Sequence, residues 1–502
     1  MLSVLLLALS SCGKPEDSND RLLLAVSQDV PNLDVQKSTG RVLRDMLVGQ
    51  VYERLFVPGA DGEVLPELAE SWSISDDGHE LVVKLREGVL FHDGTLFDGH
   101  DAEASIRRWA DAYGAARTML GNYWIESDTG SLTIRSDGNL SLLPYLMASA
   151  PQAPVMMPLE KMEENRFGLV SDVVGTGPYK LSSFETGVGL TLTKNEKYES
   201  YSEEADGLWG RKDAEWESIE YRIVPESMNR RLGLEKGEYD YINEVMSEDM
   251  PSLSRNQDVT LVGAEETGSI ALVFNKRTDL GSDREFRRAV SLALDKDAVM
   301  KACYGDYGYR IHSDYMEDHQ KAFGVEGDPY AAYDPEKAGE YLAGSSYDGR
   351  PFRILTSNLS NMEKIALSAE HYLEAIGIDT EVRVLDWAGF LSERKDDESY
   401  DMFVSAFSTV ALPQMKLFLG ADYPGWYEDE NAALIMDALN DASSIDEAAE
   451  VWQEGQKYFW SEVPVIVPGH YMTVNAVRSD IEGVISQDGT HFWRSRRTDG
   501  SR

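Results

Sequence analysis

Apolar positions along the chain fall into short runs and spaced rows that alternate with polar stretches. Leu22–Val26 (LLLAV) is a continuous apolar run of strand length. Val42, Leu43, Met46, Leu47, Val51 and Leu55 then recur at helical spacing, which predicts a helix over 42–55. Glu80–Arg86 (ELVVKLR) alternates as a strand does, and strand signals return at Leu132–Arg135, Val188–Thr193 and Glu220–Val224. Asp101 reads as the N-cap of the helix carrying Ile106 and Trp109. Around residue 270 the texture changes. Ser269–Asn275 (SIALVFN) reads as a strand, Arg284–Tyr304 as one long helix, Phe352–Thr356 as a strand and Asn361–Ile376 as a helix ended by Gly377 in a left-handed cap. Thr380–Leu385 and Asp401–Ala406 are further strands, Asp446–Ser461 a helix and Pro464–Tyr471 a returning strand. This β-α-β alternation predicts an α/β fold, with parallel strands and helices on the faces of the sheet.

Length adds a division. A chain of 502 residues exceeds the roughly 250–300 that one hydrophobic core serves, so two or more lobes are expected. The formal net charge of −41 excludes nucleic acid, whose phosphates need clustered Lys and Arg, and an anionic membrane surface as the main partner. Two cysteines, Cys12 and Cys303, are too few for a disulfide framework, and the helical pattern around Cys303 predicts a buried thiol. Leu2–Leu9 (LSVLLLAL) is too short to span a bilayer but fits the apolar part of a secretory leader. Leu9-Ser10-Ser11-Cys12 resembles a bacterial lipobox, which makes 1–11 a lipoprotein signal peptide, Cys12 the lipidated residue and 12–20 a flexible tether. No later segment is long and apolar enough to cross a membrane.

No chemistry of catalysis stands out. A G-x-S-x-G elbow, a P-loop, H-E-x-x-H and C-x-x-C are all absent. His312 and His319 are spaced to share a helix face, yet their Gly and Tyr neighbours indicate a loop, and no metal is expected. Gly175-Thr176-Gly177 lacks dinucleotide spacing and reads as a tight turn. No cofactor and no enzymatic activity are expected.

Several stretches together resemble the peptide/nickel-type (family 5) extracellular solute-binding proteins of ABC importers. Pro66-Glu67-Leu68-Ala69-Glu70-Ser71-Trp72 and Ser75-Asp76-Asp77-Gly78 look like the family's early signature, followed by Val83–Val89 and Phe91-His92-Asp93-Gly94. Asp101–Arg108, Gly175-Thr176-Gly177-Pro178-Tyr179, Asn195 with Tyr198, and Gly237-Glu238-Tyr239-Asp240 continue it. Phe274-Asn275, Arg287–Asp295, Tyr333–Ala338, Pro464–Gly469 and Ile481-Glu482-Gly483 complete it in order. The resemblance implies a two-lobed periplasmic binding protein-like clamp, type II and cluster C-like. Lobe I would cover 21–269 plus 474–502, with an inserted subdomain at about 50–168, and lobe II would cover 270–473. The chain would cross between lobes near Ala264–Ser269 and near Tyr471–Asn475. The implied role is capture of a small organic solute, a peptide or amino-acid-derived compound, by lobe closure and its delivery to ABC permease subunits. The protein would act as a monomer at the periplasm or outer face of the cell membrane, held there only by its lipid. A binding lipoprotein of the same fold that signals or chaperones without transport is the alternative, and a hydrolase with an unrecognised catalytic set is a third reading.

Ligands favour lobe interfaces and strand ends in open α/β sheets. That rule selects Thr356, Ser357 and Asn358 after one strand, Asp386 and Trp387 after the next, and Ser405–Ser408, Phe407 included, on the third. Trp426 and Tyr427 follow a Pro-Gly turn, and Tyr123 and Trp124 would reach in from the inserted subdomain. Asp386 equally suits an N-cap, and Trp72 suits a structural role. Where peptide-binding relatives carry an Asp that pairs with the ligand ammonium, Val410 stands here, so that anchor is missing.

Overall fold

Two strands much longer than the rest organise the chain. Val259–Phe274 has 16 residues and Val465–Arg478 has 14, and they pair antiparallel through most of their length. The computed structural model that shows this describes residues 20–498 apart from 39, 150, 151, 153, 166, 167 and 360, with backbone alone at 264 and 265. The expected leader, Cys12 and all of the tether but Asp20 lie outside the described residues.

The long pair sits in the middle of an 11-stranded sheet. On one side follow Met402–Ser408, Phe352–Ser357 and Thr380–Leu385; on the other follow Tyr241–Ile242, Arg21–Val26, Ser218–Ile223, Gly189–Lys194 and Tyr179–Glu185. Parallel pairing occurs where β-α-β alternation predicts it. Phe352–Ser357 runs parallel to both Thr380–Leu385 and Met402–Ser408, and Arg21–Val26 runs parallel to Ser218–Ile223 and Tyr241–Ile242. The long strands pair antiparallel with their neighbours, which makes the sheet mixed.

The fold is two-lobed because each half of this sheet serves its own core. Leu22, Leu24, Leu47, Tyr179, Leu192 and Trp216 belong to one buried cluster. Ile270, Leu272, Phe274, Ile354 and Met402 belong to another, with Phe286 and Val290 of helix Arg284–Ala293 and Ile365 and Ala369 of helix Met362–Ala375. Their strand neighbours Ala271, Val273, Leu355 and Phe403 point to the opposite face, toward Trp452 and Phe459 of helix Ile445–Glu462. Helices thus cover both faces of this half. A strand buried on both faces reads as an unbroken apolar run, as Ser269–Asn275 does.

The inserted subdomain has its own antiparallel sheet, Ala69–Ile74, Glu80–Leu85, Ser131–Ser136 and Tyr123–Ser127 in spatial order, covered by helix Gly99–Ala112 through Ile106 and Trp109. Its contacts with the second lobe include a ring pair and a side-chain amide. The rings of Tyr145 and Phe323 meet edge-on at 6.2 Å, and Asn139 Nδ2 donates to the carbonyls of Asn440 and Ala442.

Three local expectations are corrected. The helix expected over 42–55 is Arg41–Leu47. Val51 and Leu55 are fully buried from non-helical backbone, so burial on two sides imitated helical spacing. The N-cap of Gly99–Ala112 is Asp98; Asp101 is its partner in a capping box, accepting from Asp98 N at 3.0 Å. The long helix expected over 284–304 is two, Arg284–Ala293 and Lys296–Tyr304, because Asp295 caps the second by accepting from Ala298 N at 3.0 Å. Gly377 does follow helix Met362–Ala375 at φ +90°, and Cys303 is buried, its thiol pushed up to about 11 by burial.

A buried charge network ties the inserted subdomain to the first lobe. Lys212 Nζ donates to Glu53 Oε1 at 2.7 Å and to Glu67 Oε1 at 2.6 Å, and all three side chains are almost fully buried. Tyr198 and Thr176 hydroxyls also donate to Glu53, and Arg54 N donates to Glu67. Burial acts to raise the Glu53 carboxyl, but Lys212 and the two hydroxyls hold it below its ordinary range. Glu67, Thr176 and Tyr198 come from three different stretches that carry the family resemblance. Their common purpose is this network, which fixes the hairpin leading to residues 58–62.

Candidate functional site

Beside that hairpin, between the two lobes and the inserted subdomain, lies a cavity of about 550 Å³. This falls within the roughly 300–1,000 Å³ that small-molecule sites occupy. Its floor is Glu266 and Thr267 of the first long strand, in the segment expected to cross between lobes. Arg41 and Arg44, at the start of helix Arg41–Leu47, form the first-lobe wall with residues 487–489. Pro58, Ala60 and Gly62 of the hairpin, with Tyr113, Tyr145, Ser149 and Gln152, come from the inserted subdomain. His319, Gln320, Lys321, Ser408 and Thr409 close the second-lobe side.

The walls carry both signs of charge. Arg41 Nη1 donates to Thr473 Oγ1 at 3.2 Å, and Arg44 reaches Asp488 at 3.7 Å. Asp488 also takes Arg54 at 2.7 Å; burial works to raise its carboxyl, and the two guanidiniums hold it low. Asp45, behind Arg41 and Arg44, is pushed upward by burial. Across the cavity mouth Lys321 pairs with the exposed Asp61 at 2.7 Å. Glu266 Oε1 meets His312 Nε2 at 2.8 Å, and Glu266 Oε2 accepts from Asp318 N at 2.7 Å. Burial raises the phenols of Tyr113 and Tyr145 to about 12, so both stay neutral, presenting an apolar ring with a polar tip. Such a lining can hold a compact molecule that has an anionic group, a cationic group and apolar body between them.

The comparisons agree with this architecture. The family model for bacterial extracellular solute-binding proteins, family 5 (middle region), matches residues 63–427. The chain belongs to that family. Its members are solute-binding components of transporters and not enzymes, and they work outside the cytoplasm. A probable peptide ABC transporter periplasmic-binding protein, y4tO of Sinorhizobium fredii, is 25% identical over 480 residues, covering 89% of this chain and 88% of that protein. The glutathione-binding protein GsiB of Salmonella paratyphi A is 23% identical over 487 residues, covering 93% and 92%. Among solved structures, HbpA2 from Haemophilus parasuis superposes with a TM-score of 0.80 at 19% identity, over 95% of this chain and all of that one.

Within this family-5 protein, the ten side chains selected from strand ends and aromatics lie elsewhere than the cavity lining. Thr356 and Ser357 are buried at the end of their strand, and Asn358 follows them at the surface. Asp386 is the N-cap of helix Trp387–Glu393, accepting from Gly389 N at 2.7 Å. Trp387, 40% exposed, stacks on Phe390, and the row continues through Phe403 and Tyr400 to Trp426. Tyr427 packs edge-on against Phe459 beneath Lys276, and Phe407 edge-on against Phe418. Tyr123 and Trp124 lie on the edge strand of the inserted sheet, Tyr123 under Arg107 and Trp124 53% exposed. Of the strand-end run 405–408, Ser408 does reach the cavity. The lining otherwise comes mostly from loops, with helix Arg41–Leu47, Glu266 and Thr267 of the first long strand, and Tyr145 and Ser149 of helix Leu143–Ser149. One signal for it was present. Arg41 and Arg44 sit three apart on the polar side of a helix whose other face is Val42, Leu43, Met46 and Leu47, a basic pair in an acidic chain.

Proposed function

We propose that this protein captures a small peptide or amino-acid-derived solute in the 550 Å³ cavity and hands it to the permease of an ABC importer. The observation that carries the reading is the two-signed lining, with Arg41 and Arg44 on the first-lobe wall and Glu266 on the floor. A ligand carboxylate matches the guanidiniums, which present paired donors, and a ligand ammonium matches the carboxylate. The names of y4tO and GsiB, one a peptide and the other a glutathione binder, support the same class of cargo. Glu266 then stands in for the Asp that peptide-binding relatives carry where this chain has Val410. The lobes, divided near 269 and 474, close about the two long strands. Closure is driven by contacts that the solute makes with both lobes at once; moving a clamp from 1:99 to 99:1 takes about 5.5 kcal/mol of preference for the closed state. Lipidation at Cys12 would keep the protein at the membrane beside its permease.

The test is native mass spectrometry of protein purified from its own host, followed by thermal-shift titration with di- and tripeptides and with the co-purified compound. Co-purification of a zwitterionic compound, with saturable stabilisation and a smaller radius of gyration in solution scattering, supports the reading. A cargo with neither an anionic nor a cationic group sinks it.

A further inference from the structure

The floor of the cleft holds a cluster of which the proposed solute capture uses one member, Glu266, so an ion bound there would take the place of a ligand ammonium. Glu266 lies in the first long strand between two register shifts, one at Val262/Glu265 and one at Glu266/Gly268. His470 stands on the second long strand opposite Ser269, and His312 follows the short strand Tyr309–Arg310. The side chains of Glu266 and His470 are 1% and 0% exposed, and that of His312 is 19% exposed. One donor atom from each lies within 4.8 Å of the others.

His470 is held as a metal ligand is held. Its Nε2 lies 2.9 Å from the Asp314 carbonyl, which can only accept, so the proton is on Nε2 and the lone pair on Nδ1. Nδ1 has no hydrogen-bond partner among the described residues. It faces Glu266 Oε2 at 3.7 Å and Glu317 Oε1 at 3.9 Å. A buried lone pair beside two carboxylate oxygens is unfavourable unless a cation stands between them. A backbone carbonyl on the far ring N–H is the outer partner that orients metal-bound histidine. Tetrahedral bonds of about 2.0–2.1 Å put neighbouring donors about 3.4 Å apart. The 2.8 Å from Glu266 to His312 and the 3.7 Å from Glu266 to His470 bracket that spacing. The two imidazoles are stacked at 4.0 Å, 17° from parallel, so their in-plane lone pairs do not converge on one point as they stand. His312, the less buried ring, has to turn out of the stack to complete the site. Lys416 occupies Glu317 at 3.0 Å, which leaves Glu317 as an outer neighbour.

We propose that Glu266, His312 and His470 bind one divalent transition-metal ion in the floor of the cleft, reached from the cavity that Glu266 lines. Two imidazoles and one carboxylate favour zinc, nickel or cobalt over magnesium or calcium. Occupation replaces an anionic floor with a cationic one at the point where the long strands pass between the lobes.

The test uses the untagged full chain, stripped of metal with a chelator and titrated with Co²⁺ without any solute, so it is independent of the cargo. The expected result is a visible Co²⁺ absorption that saturates at one equivalent, is displaced by Zn²⁺ and is untouched by excess Mg²⁺. His470→Gln and His312→Gln should each weaken binding at least tenfold, with circular dichroism and metal-free melting temperature checked first. His312→Gln, at the less buried position, serves if His470→Gln does not fold. Absence of a Co²⁺ signal from the folded wild type overturns the proposal. So does binding of wild-type strength in His312→Gln, which marks an adventitious ion only.

Discussion

Replacing Lys212 by Met tests whether the charge network that anchors the inserted subdomain has the consequences its burial implies. In the wild type one ammonium serves two carboxylates at 2.7 and 2.6 Å. Methionine removes the charge while keeping most of the side chain's bulk. Glu53 retains the Tyr198 and Thr176 hydroxyls, whereas Glu67 Oε1 loses its cation and Glu67 keeps Arg54 N. Removing one partner of a buried ion pair costs about 3–5 kcal/mol, and two stranded carboxylates place this case near the upper end at pH 7.5. The loss should shrink as pH falls. In Lys212→Met the stranded pair has a raised folded-state pKa, so the native protein takes up a proton at a pH where the unfolded chain does not. Its stability therefore rises as pH falls, by up to about 1.4 kcal/mol per unit. In the wild type Glu53, held low, loses its contribution only in acid, and Lys212, held high by its carboxylates against burial, only in alkali; Glu67, raised by burial, already favours proton uptake as pH falls, so the quantity to compare is the variant's pH dependence relative to the wild type's. Urea denaturation followed by tryptophan fluorescence at pH 7.5 and 5.5 measures both numbers. Lys212→Met with Glu67→Gln should recover part of the loss. A Lys212→Met variant within about 1 kcal/mol of wild type, or with the same deficit at both pH values, would refute the argument.

Three further outcomes follow from the same geometry. Ser408→Trp puts a large ring on the cavity wall and should weaken solute binding about 100-fold, or about 2.7 kcal/mol, with little change in melting temperature; isothermal titration reads it. Trp387→Ala removes a half-exposed ring stacked on Phe390 outside the cavity, so solute affinity should stay within about threefold while stability falls by about 1–2 kcal/mol; a larger loss of affinity would move the binding site to that surface. His491 is buried with its pKa lowered to about 4 by burial, while the unfolded residue titrates near 6.5. The unfolded chain thus takes the proton first, and stability should fall between pH 6.5 and 4. His491→Gln should lose about 2 kcal/mol less than wild type between pH 7 and 5, measured by urea midpoints.

The scaffold was legible where burial is one- or two-sided and regular. Phe352–Ser357 (FRILTS) and Thr380–Leu385 (TEVRVL) read as strands from their β-branched and apolar residues, and their parallel pairing followed from the helix between them. Errors arose where two signals overlapped. Asp98 and Asp101 stand three apart and both have capping roles, so position alone did not tell the cap from its partner. Val51 and Leu55 continue a helical rhythm while buried from loop backbone, at Val51 packed against the Gly175–Gly177 turn; a Cβ at Gly175 would lie 2.0 Å from Val51 O. The cavity was less legible for a different reason. Its walls draw Pro58, Ala60 and Gly62, Tyr145, Ser149 and Gln152, and residues 487–489 from segments far apart in the sequence that share no common period.

The residues that carry the family resemblance explain why kinship says more about frame than about cargo. Glu67, Thr176 and Tyr198 meet around Lys212. Asp240 accepts from Leu23 N at 2.9 Å and pairs with Arg497 at 2.8 Å, joining the start of the first-lobe sheet to the C-terminal stretch. Asn275 donates to the carbonyls of Asp397 and Tyr400, and Arg287 to those of Gly281, Ser282, Glu462 and Val463. Each satisfies buried backbone or charge that the fold cannot leave unpaired. Glu67, Thr176, Tyr198, Asp240, Asn275 and Arg287 are all absent from the cavity lining. The residues that hold the clamp together are therefore a different set from those that line the cavity, among them Arg41, Arg44, Glu266 and Lys321. Around the cavity of a chain of net charge −41, two arginines and a lysine stand among carboxylates, so both signs of charge are present locally. With a Debye length of about 8 Å, a guest inside responds to the local field. Exchanging Arg41 and Arg44 for the residues of a relative with known cargo should accordingly shift specificity while leaving the fold intact.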